Sequence, residues 1–250
     1  MTANNDEDLS LDAFLGGRVH LWQPKRGYRA GIDAVLLAAA VPAEARESVL
    51  ELGCGVGVAS LCLNARVPGL RLSGVELQEA QAALARRNGQ GVFDVHTGDI
   101  ARMPDALRQR QFDHVIANPP YFDRAASRPS ANPTREAAHG EGAPLAKWVR
   151  TAAKRLLPKG QAHFIHRAER LPELLAALPR DLGSVQVLPL AARTGRDPDR
   201  VILRARKNGR GAFRLHAPLI LHEGARHEAD GDSYTATIRA VLRKGAPLLF

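Results

Sequence analysis

Residues 118–121 read Asn-Pro-Pro-Tyr, and these residue types suit the handling of an amine. The Asn118 side-chain oxygen accepts a hydrogen bond from an N–H, and the Pro119 carbonyl can accept a second. Proline fixes the backbone, so Pro119 and Pro120 hold both acceptors towards one place without an ordering cost. Tyr121 adds a flat face for an aromatic ring, and a stacked base is worth about 1–3 kcal/mol in proteins that bind single strands. An exocyclic amine conjugated to a ring is a poor nucleophile. Two acceptors on its hydrogens draw it towards a tetrahedral shape and free its lone pair. Alignment, worth up to about 7–11 kcal/mol in favourable cases, then carries the rate without a strong base. The competing reading is a proline-terminated strand with Tyr121 as packing.

A second set of residues suits a nucleoside that carries a charged tail. Gly53, Gly55 and Gly57 lie in "GCGVG", between an apolar run and a helical pattern. Glycines there let the backbone turn tightly and approach a ligand, and the helix N-terminus behind them favours a negative group. The spacing is G-x-G-x-G, one residue shorter than the dinucleotide fingerprint, and no Lys-Ser/Thr follows to make a phosphate loop. Glu51 precedes the glycines, and Glu76 follows Gly57 by 19 residues, where a ribose-binding acid belongs. Asp99 can accept from an exocyclic adenine amine, or serve as a helix or turn cap. Upstream, the segment from Gly27 to Asp33 could close the pocket. Arg29 in it is either a bidentate partner for a carboxylate or a surface arginine. Asp33 is either a pocket residue or a first-turn acid favoured by the helix dipole.

These residues gain meaning from the elements that carry them. Val49–Leu52, Leu70–Val75, 92–99 and Phe112–Ala117 read as strands, with helices after the first two. Glu51 lies within the first strand near its end, Glu76 and Asn118 each follow a strand directly, and Asp99 ends the third. All four thus lie towards the C-terminal ends, where open α/β sheets bind ligands. "IDAVLLAAAV" is apolar on every side and predicts a buried helix. Residues 144–157 predict a helix with Leu145, Trp148, Val149, Ala152 and Leu156 on one face and Lys147, Arg150, Lys154 and Arg155 on the other. Strands at 160–166, 184–190 and 200–207 and a final helix at 233–245 complete the pattern. Such alternation argues for a mostly parallel sheet with helices on both faces. The last two strands are too close for a crossover helix, which predicts an antiparallel hairpin. Residues 1–9 read as a disordered tail, and 10–250 as a single domain. Within it, 10–45 is the pocket-closing segment and 124–143, rich in Pro, Ala, Ser and Gly, a mobile loop.

Of the 250 residues 45% are apolar, enough for a sizeable core, and no apolar run is long enough to span a membrane. The polar, acidic start lacks the features of a signal peptide, so a cytoplasmic location is expected. Cys54 and Cys62 form no C-x-x-C pair and no histidines have ligand spacing, so neither a disulfide nor a metal is expected. The net charge of +9 favours a polyanionic partner, against a bland arginine-rich composition. Arg124, Arg128 and Arg135 follow the Asn-Pro-Pro-Tyr run, and Lys25 and Arg26 lie beside the proposed lid. Both groups are candidates for phosphate contact. Arg204, Arg206, Lys207 and Arg210 form a further cluster, read as a solvated face.

The chain resembles the class I S-adenosylmethionine-dependent methyltransferases, a Rossmann-like fold. "ELGCGVG", "GVEL" and "GDI" look like their first three motifs. The resemblance implies S-adenosylmethionine as cofactor, with the glycines on its methionine part, Glu76 on its ribose and Asp99 on its adenine. The Asn-Pro-Pro-Tyr run resembles that of amino-methyltransferases acting on adenine in DNA or RNA, or on glutamine in release factors. "LGGRVHLWQPKRGYRAGIDAVLLAAAV", "NPPYF", "LAKWVRTAAKRLLPKG", "RAERL", "VILRARK" and "LHE" are similar to the tRNA1(Val) adenine-N6 methyltransferase family. That implies an RNA substrate, with tRNA expected. The alternatives are a glutamine-amide methyltransferase and a non-catalytic, cofactor-sensing RNA-binding protein.

Overall fold

The computed structural model describes residues 6–121, 143–224 and 233–250. The loop expected at 124–143, with Arg124, Arg128 and Arg135, therefore lies outside the described residues except for Ala143. Near the start, Asp6–Asp8 form a short 3-10 helix and Leu9 opens β1 (Leu9–Phe14), which pairs antiparallel with β2 (Val19–Pro24). The hairpin starts earlier than a tail over 1–9 allows, because Leu9 is buried and the Lys25 N–H closes the pair on the Asp8 carbonyl at 2.8 Å.

A nine-stranded sheet follows, in the order β10-β8-β9-β7-β6-β3-β4-β5, with β11 beside β8. Its centre is β3 (Ser48–Leu52), flanked in parallel by β4 (Arg71–Glu76) and β6 (Phe112–Ala117). β5 (Phe93–Thr97) and β7 (Leu156–Arg167) extend the parallel array on the two sides. All five residues of β3 are buried, as expected where both faces are covered. Alternation deals its side chains to two layers. Val49 joins the layer of α1 (Ile32–Ala40), α2 (Val58–Arg66) and α3 (Glu79–Gly89). Leu50 and Leu52 join Leu107 of α4 (Asp105–Arg108), Trp148 of α5 (Leu145–Arg155) and Leu174 of α6 (Leu171–Ala176).

The closely spaced final strands form the expected hairpin, β8 (Leu182–Ala191) with β9 (Pro198–Lys207). β9 inserts between β7 and β8 and runs antiparallel to both. Its first residues therefore lie beside the last residues of β7, as the pairings Arg200–Arg167 and Val201–His166 record. An antiparallel strand thus delivers its beginning to the edge where its parallel neighbours deliver their ends. Two short strands, β10 (Arg214–Leu215) and β11 (Leu219–Ile220), gave no sequence pattern and pair with β8. The last helix, α7 (Ala236–Lys244), starts later than 233 because Thr235 caps it through the Ile238 N–H. No described helix is long and apolar enough to cross a membrane.

Candidate active site

A cleft of about 320 Å³ opens at the C-terminal ends of β3, β4 and β6. That is the size of a small-molecule site. Glu51, Gly53, Gly55, Glu76 and Asp99 line it, together with Asn118, Pro119, Pro120 and Tyr121. The sequence-derived cofactor acids and the amine motif thus share one cavity. Gly53 and Gly55 both take left-handed backbone, at φ +62° and +52°. A Cβ at Gly53 would meet the Trp148 ring at 2.5 Å, whereas one at Gly55 would meet nothing within 4 Å. Gly53 is therefore glycine for packing, and Gly55 leaves an unfilled space on the cleft wall. Gly57 does not line the cleft; it is the left-handed residue that starts α2.

The three acids differ in what they already hold. Glu76 is 8% exposed and its carboxylate braces the glycine loop. One oxygen accepts from the Gly55 N–H at 2.9 Å and the other from the Gln78 N–H at 2.9 Å. Glu51 is tied to the first turn of α2, accepting from the Ser60 N–H at 3.0 Å and the Ser60 hydroxyl at 2.5 Å. Burial pushes its carboxyl up to about 8, and the Glu76 charge adds to the rise. A cation entering the cleft would favour its ionised form. Asp99 caps the following 3-10 turn through the Ala101 N–H at 2.7 Å, and still faces the cleft. The cap reading of Asp99 is thus realised, in a residue that also lines the cleft.

At the end of β6, Asn118 Oδ1 is buried without a hydrogen-bond donor among the described residues. Tyr121 beside it is held from three directions. Its hydroxyl donates to Asp33 Oδ2. The Arg200 guanidinium carbon lies 5.7 Å from its ring centroid, and the His166 ring meets it edge-on at 5.3 Å. Asp33 Oδ2 also accepts from Arg200 Nε at 2.8 Å. Burial and the Asp33 carboxylate raise the Tyr121 phenol far above its ordinary range. Burial, then Arg170, lowers His166 to about 4, so its ring is neutral at neutral pH. Its Nδ1 accepts from the Arg167 N–H at 2.9 Å.

The pocket-closing segment is placed differently from the expectation. Arg29 turns away from the cleft and pairs with Asp12 and with the Ser10 hydroxyl at 2.9 Å. It is a brace of the β1–β2 hairpin, because Ser10 and Asp12, two residues apart on β1, share one face within its reach. Neither Gly27 nor Asp33 lines the cleft, and Asp33 instead accepts from the Tyr121 hydroxyl. Gln23, Tyr28, Ala30 and Ala34 are the residues of this segment on the cleft wall. Gln23 is 1% exposed and clasps Ala30 through N–H and carbonyl bonds of 2.9 and 3.3 Å. The available signal was its place two residues after buried Leu21 on a strand of period two. Asn88 fastens β2 to the glycine loop, bonding the Trp22 N–H at 2.8 Å and the Val56 carbonyl at 2.9 Å. His166 and Arg200 were missed because their partners are remote in sequence. Among the described residues no group of three or more His, Cys, Asp or Glu could hold a metal.

Comparison with known proteins gives the family. Residues 29–189 match the family model described as the methyltransferase small domain. A Porphyromonas gingivalis W83 protein named tRNA1(Val) (adenine(37)-N6)-methyltransferase is 30% identical over 206 residues, 78% of this chain and 80% of that one. One of the same name from Actinobacillus succinogenes is 30% identical over 77% of this chain and 82% of its own. The crystal structure of a predicted O-methyltransferase from Agrobacterium tumefaciens superposes with a TM-score of 0.70 at 25% identity, covering 86% of this chain and 98% of that one. With a match over well over half its length, and with the cleft, glycine turn and strand-end acids in place, the chain belongs to the methyltransferase small domain family.

Proposed function

We propose that this protein transfers a methyl group from S-adenosylmethionine to the N6 amine of an adenine in tRNA. The observation that carries this reading is that Asn118, whose Oδ1 is buried without a hydrogen-bond donor among the described residues, lines the same cleft as Tyr121. A buried acceptor without a donor costs about 1–3 kcal/mol, and an amine entering the cleft would remove that cost. The names of the relatives at 30% identity support the choice of adenine in tRNA. An amide cannot remove a proton, so the same residue fits an amine better than a hydroxyl acceptor.

The residues present fit the cofactor. The open space at Gly55 suits its amino-acid part, the Glu76 carboxylate retains lone pairs for ribose hydroxyls, and Asp99 with Leu77 and Ile100 flanks a place for a purine. When bound, S-adenosylmethionine supplies an electrophilic methyl on a sulfonium. Asn118 Oδ1 and the Pro119 carbonyl would hold the amine hydrogens, turning the nitrogen lone pair towards that methyl. Tyr121 would hold the ring. The amine proton is lost after transfer, when nitrogen is cationic, so no strong base is required of the protein.

Nucleoside mass spectrometry of bulk tRNA, from cells with and without the gene, tests the reading directly. N6-methyladenosine should fall in the mutant and return when purified protein and cofactor are added to that tRNA. Unchanged tRNA, or methyl transfer to a protein glutamine instead, would overturn it.

The RNA surface is a separate matter. Of the sequence-derived candidates, Lys25 and Arg26 are exposed, though the Lys25 ammonium sits on the Glu7 carbonyl at 2.6 Å. Much of the 204–210 cluster works inside the fold. Arg204 bonds Gln186 at 3.1 Å and Lys207 bonds the Ala153 carbonyl at 2.9 Å. α5 offers a better track. Lys147, Arg150 and Lys154 share one stripe of the helix, and no ion pair engages them among the described residues. The helix starts beside the cleft, where Trp148 forms part of the wall, and Thr151 bonds the Ile100 carbonyl at 3.3 Å. Replacing these three with alanine should weaken tRNA binding and flatten its dependence on salt by just under one unit per lost phosphate contact. Cofactor affinity should not change. An unaltered salt slope would make the stripe a solvated face.

A further inference from the structure

Tyr121 is fixed by groups that its own motif does not contain. Asp33 lies in the first turn of α1, 88 residues away, and Arg200 near the start of β9, 167 residues from Asp33. One carboxylate oxygen, Asp33 Oδ2, accepts from the Tyr121 hydroxyl and from Arg200 Nε. Arg200 is steadied on its other side by Asp199, at 2.8 Å from a terminal nitrogen. The Asp33 side chain is 15% exposed and that of Arg200 30%, so water screens this pair only in part.

The hydroxyl bond and the ring contacts do different things. A phenol tied at its oxygen can still turn about the axis from Cβ to the hydroxyl, because the oxygen lies on that axis. Asp33 therefore sets where the axis points, and does not set the plane. The plane is set by Arg200 over one face, at 5.7 Å, and by the His166 edge at 5.3 Å and 71°. Tyr121 lines the cleft, and Arg200 stands over one face of its ring.

We propose that Asp33 and Arg200 are positioning residues that fix the axis and plane of Tyr121, so that the substrate base stacks on the ring face opposite Arg200. The proposal rests on the reading that an adenine enters this cleft. A base stacks well only on a plane that is already set, because ordering the ring at the moment of binding would subtract from the stacking. It also gives the tyrosine hydroxyl a role without a proton transfer. The ring of a phenylalanine would stack equally well once oriented, and what the hydroxyl adds is the orientation.

A double-mutant cycle tests the coupling. Tyr121→Phe and Asp33→Ala should each lower kcat/KM for methyl transfer to tRNA by about 10-fold, with cofactor affinity and the unfolding temperature near wild type. The double variant should lose little more than either single one, because both remove the same bond. A loss near 100-fold, the product of the two, would overturn the latch. If Asp33→Ala does not fold, Asp33→Leu replaces it in the cycle: leucine fills the volume and likewise removes the bond to the Tyr121 hydroxyl. A second readout needs no RNA. The chain has three tyrosines, so ring-carbon NMR of labelled tyrosine stays assignable, with Tyr121 as the signal absent from Tyr121→Phe. That signal should move and broaden in Arg200→Gln, while Tyr234 stays put. An unmoved signal would reject the contact even if the enzyme proved to act on another substrate. Adenine methylation with a multiplicative cycle would reject the latch and leave the substrate assignment intact.

Discussion

Asn118→Ala should lower kcat for methyl transfer to tRNA by about 100- to 1,000-fold, the usual cost of deleting one preorganised hydrogen-bond partner at a reacting centre. The same change should not weaken the fold. Asn118 Oδ1 is buried without a donor among the described residues, so alanine removes an acceptor whose burial is unfavourable before substrate arrives. The unfolding temperature should hold or rise. Cofactor affinity should hold as well, since Glu76 and the glycine turn stand on β4 and on the loop after β3 rather than on β6. The proposed bond matters when the amine leaves the plane of its ring, so the defect should fall on kcat rather than on KM. The assay is methyl transfer to total tRNA at saturating cofactor, paired with a thermal melt. Full activity in Asn118→Ala would reduce the asparagine to a strand terminator. A large drop in melting temperature would mean that its amide is a structural bond instead.

What the sequence made legible at this site is what local pattern can carry. The strands that carry the site, β3 to β6, are visible in the sequence, and the residue at the end of each must lie at one edge of the sheet. Glu76, Asp99 and Asn118 could therefore be placed around one cleft before any contact was known, with Glu51 just inside the first strand. The hairpin of β8 and β9 was legible from its short connection, because no crossover helix fits there. Insertion of β9 between β7 and β8 was not, since spacing does not say which edge a strand joins. That insertion is what brings Arg200 to Tyr121. On local grounds Tyr121→Phe looks mild, as the ring face survives; the bond to Asp33 makes the hydroxyl an anchor and the variant a costly one. Arg29 misled for the same reason in reverse. Its sequence neighbours suggest a pocket lid, and its partner Asp12 lies 17 residues away on β1, where only the fold brings the two together. Periodicity tells which face a side chain takes, not which distant residue sits across from it.

Glu76→Ala should cost both affinity and stability, and the two costs have one origin. The Glu76 carboxylate is proposed to accept the ribose hydroxyls of the cofactor, yet it already accepts the Gly55 and Gln78 N–H groups, each at 2.9 Å. Hydrogen bonds to a charged group contribute about 1.5–3 kcal/mol each. Alanine leaves both N–H groups without their partner and lets the glycine loop drift. Cofactor affinity measured by calorimetry should fall by about 10- to 100-fold, about 1.4–2.8 kcal/mol. The melting temperature should fall by several degrees, at about 2–4 °C per kcal/mol for a chain of this size. Glu76→Gln separates the parts of the argument. Its amide keeps one acceptor and turns the other oxygen into an NH₂ group facing an N–H, which is repulsive. Glutamine should therefore be nearly as damaging as alanine in both measurements, even though it is closer in shape. If Glu76→Gln binds the cofactor as the wild type does, a single oxygen suffices and the brace on the loop carries no part of the affinity. If Glu76→Ala leaves affinity unchanged, the ribose site lies elsewhere in the cleft.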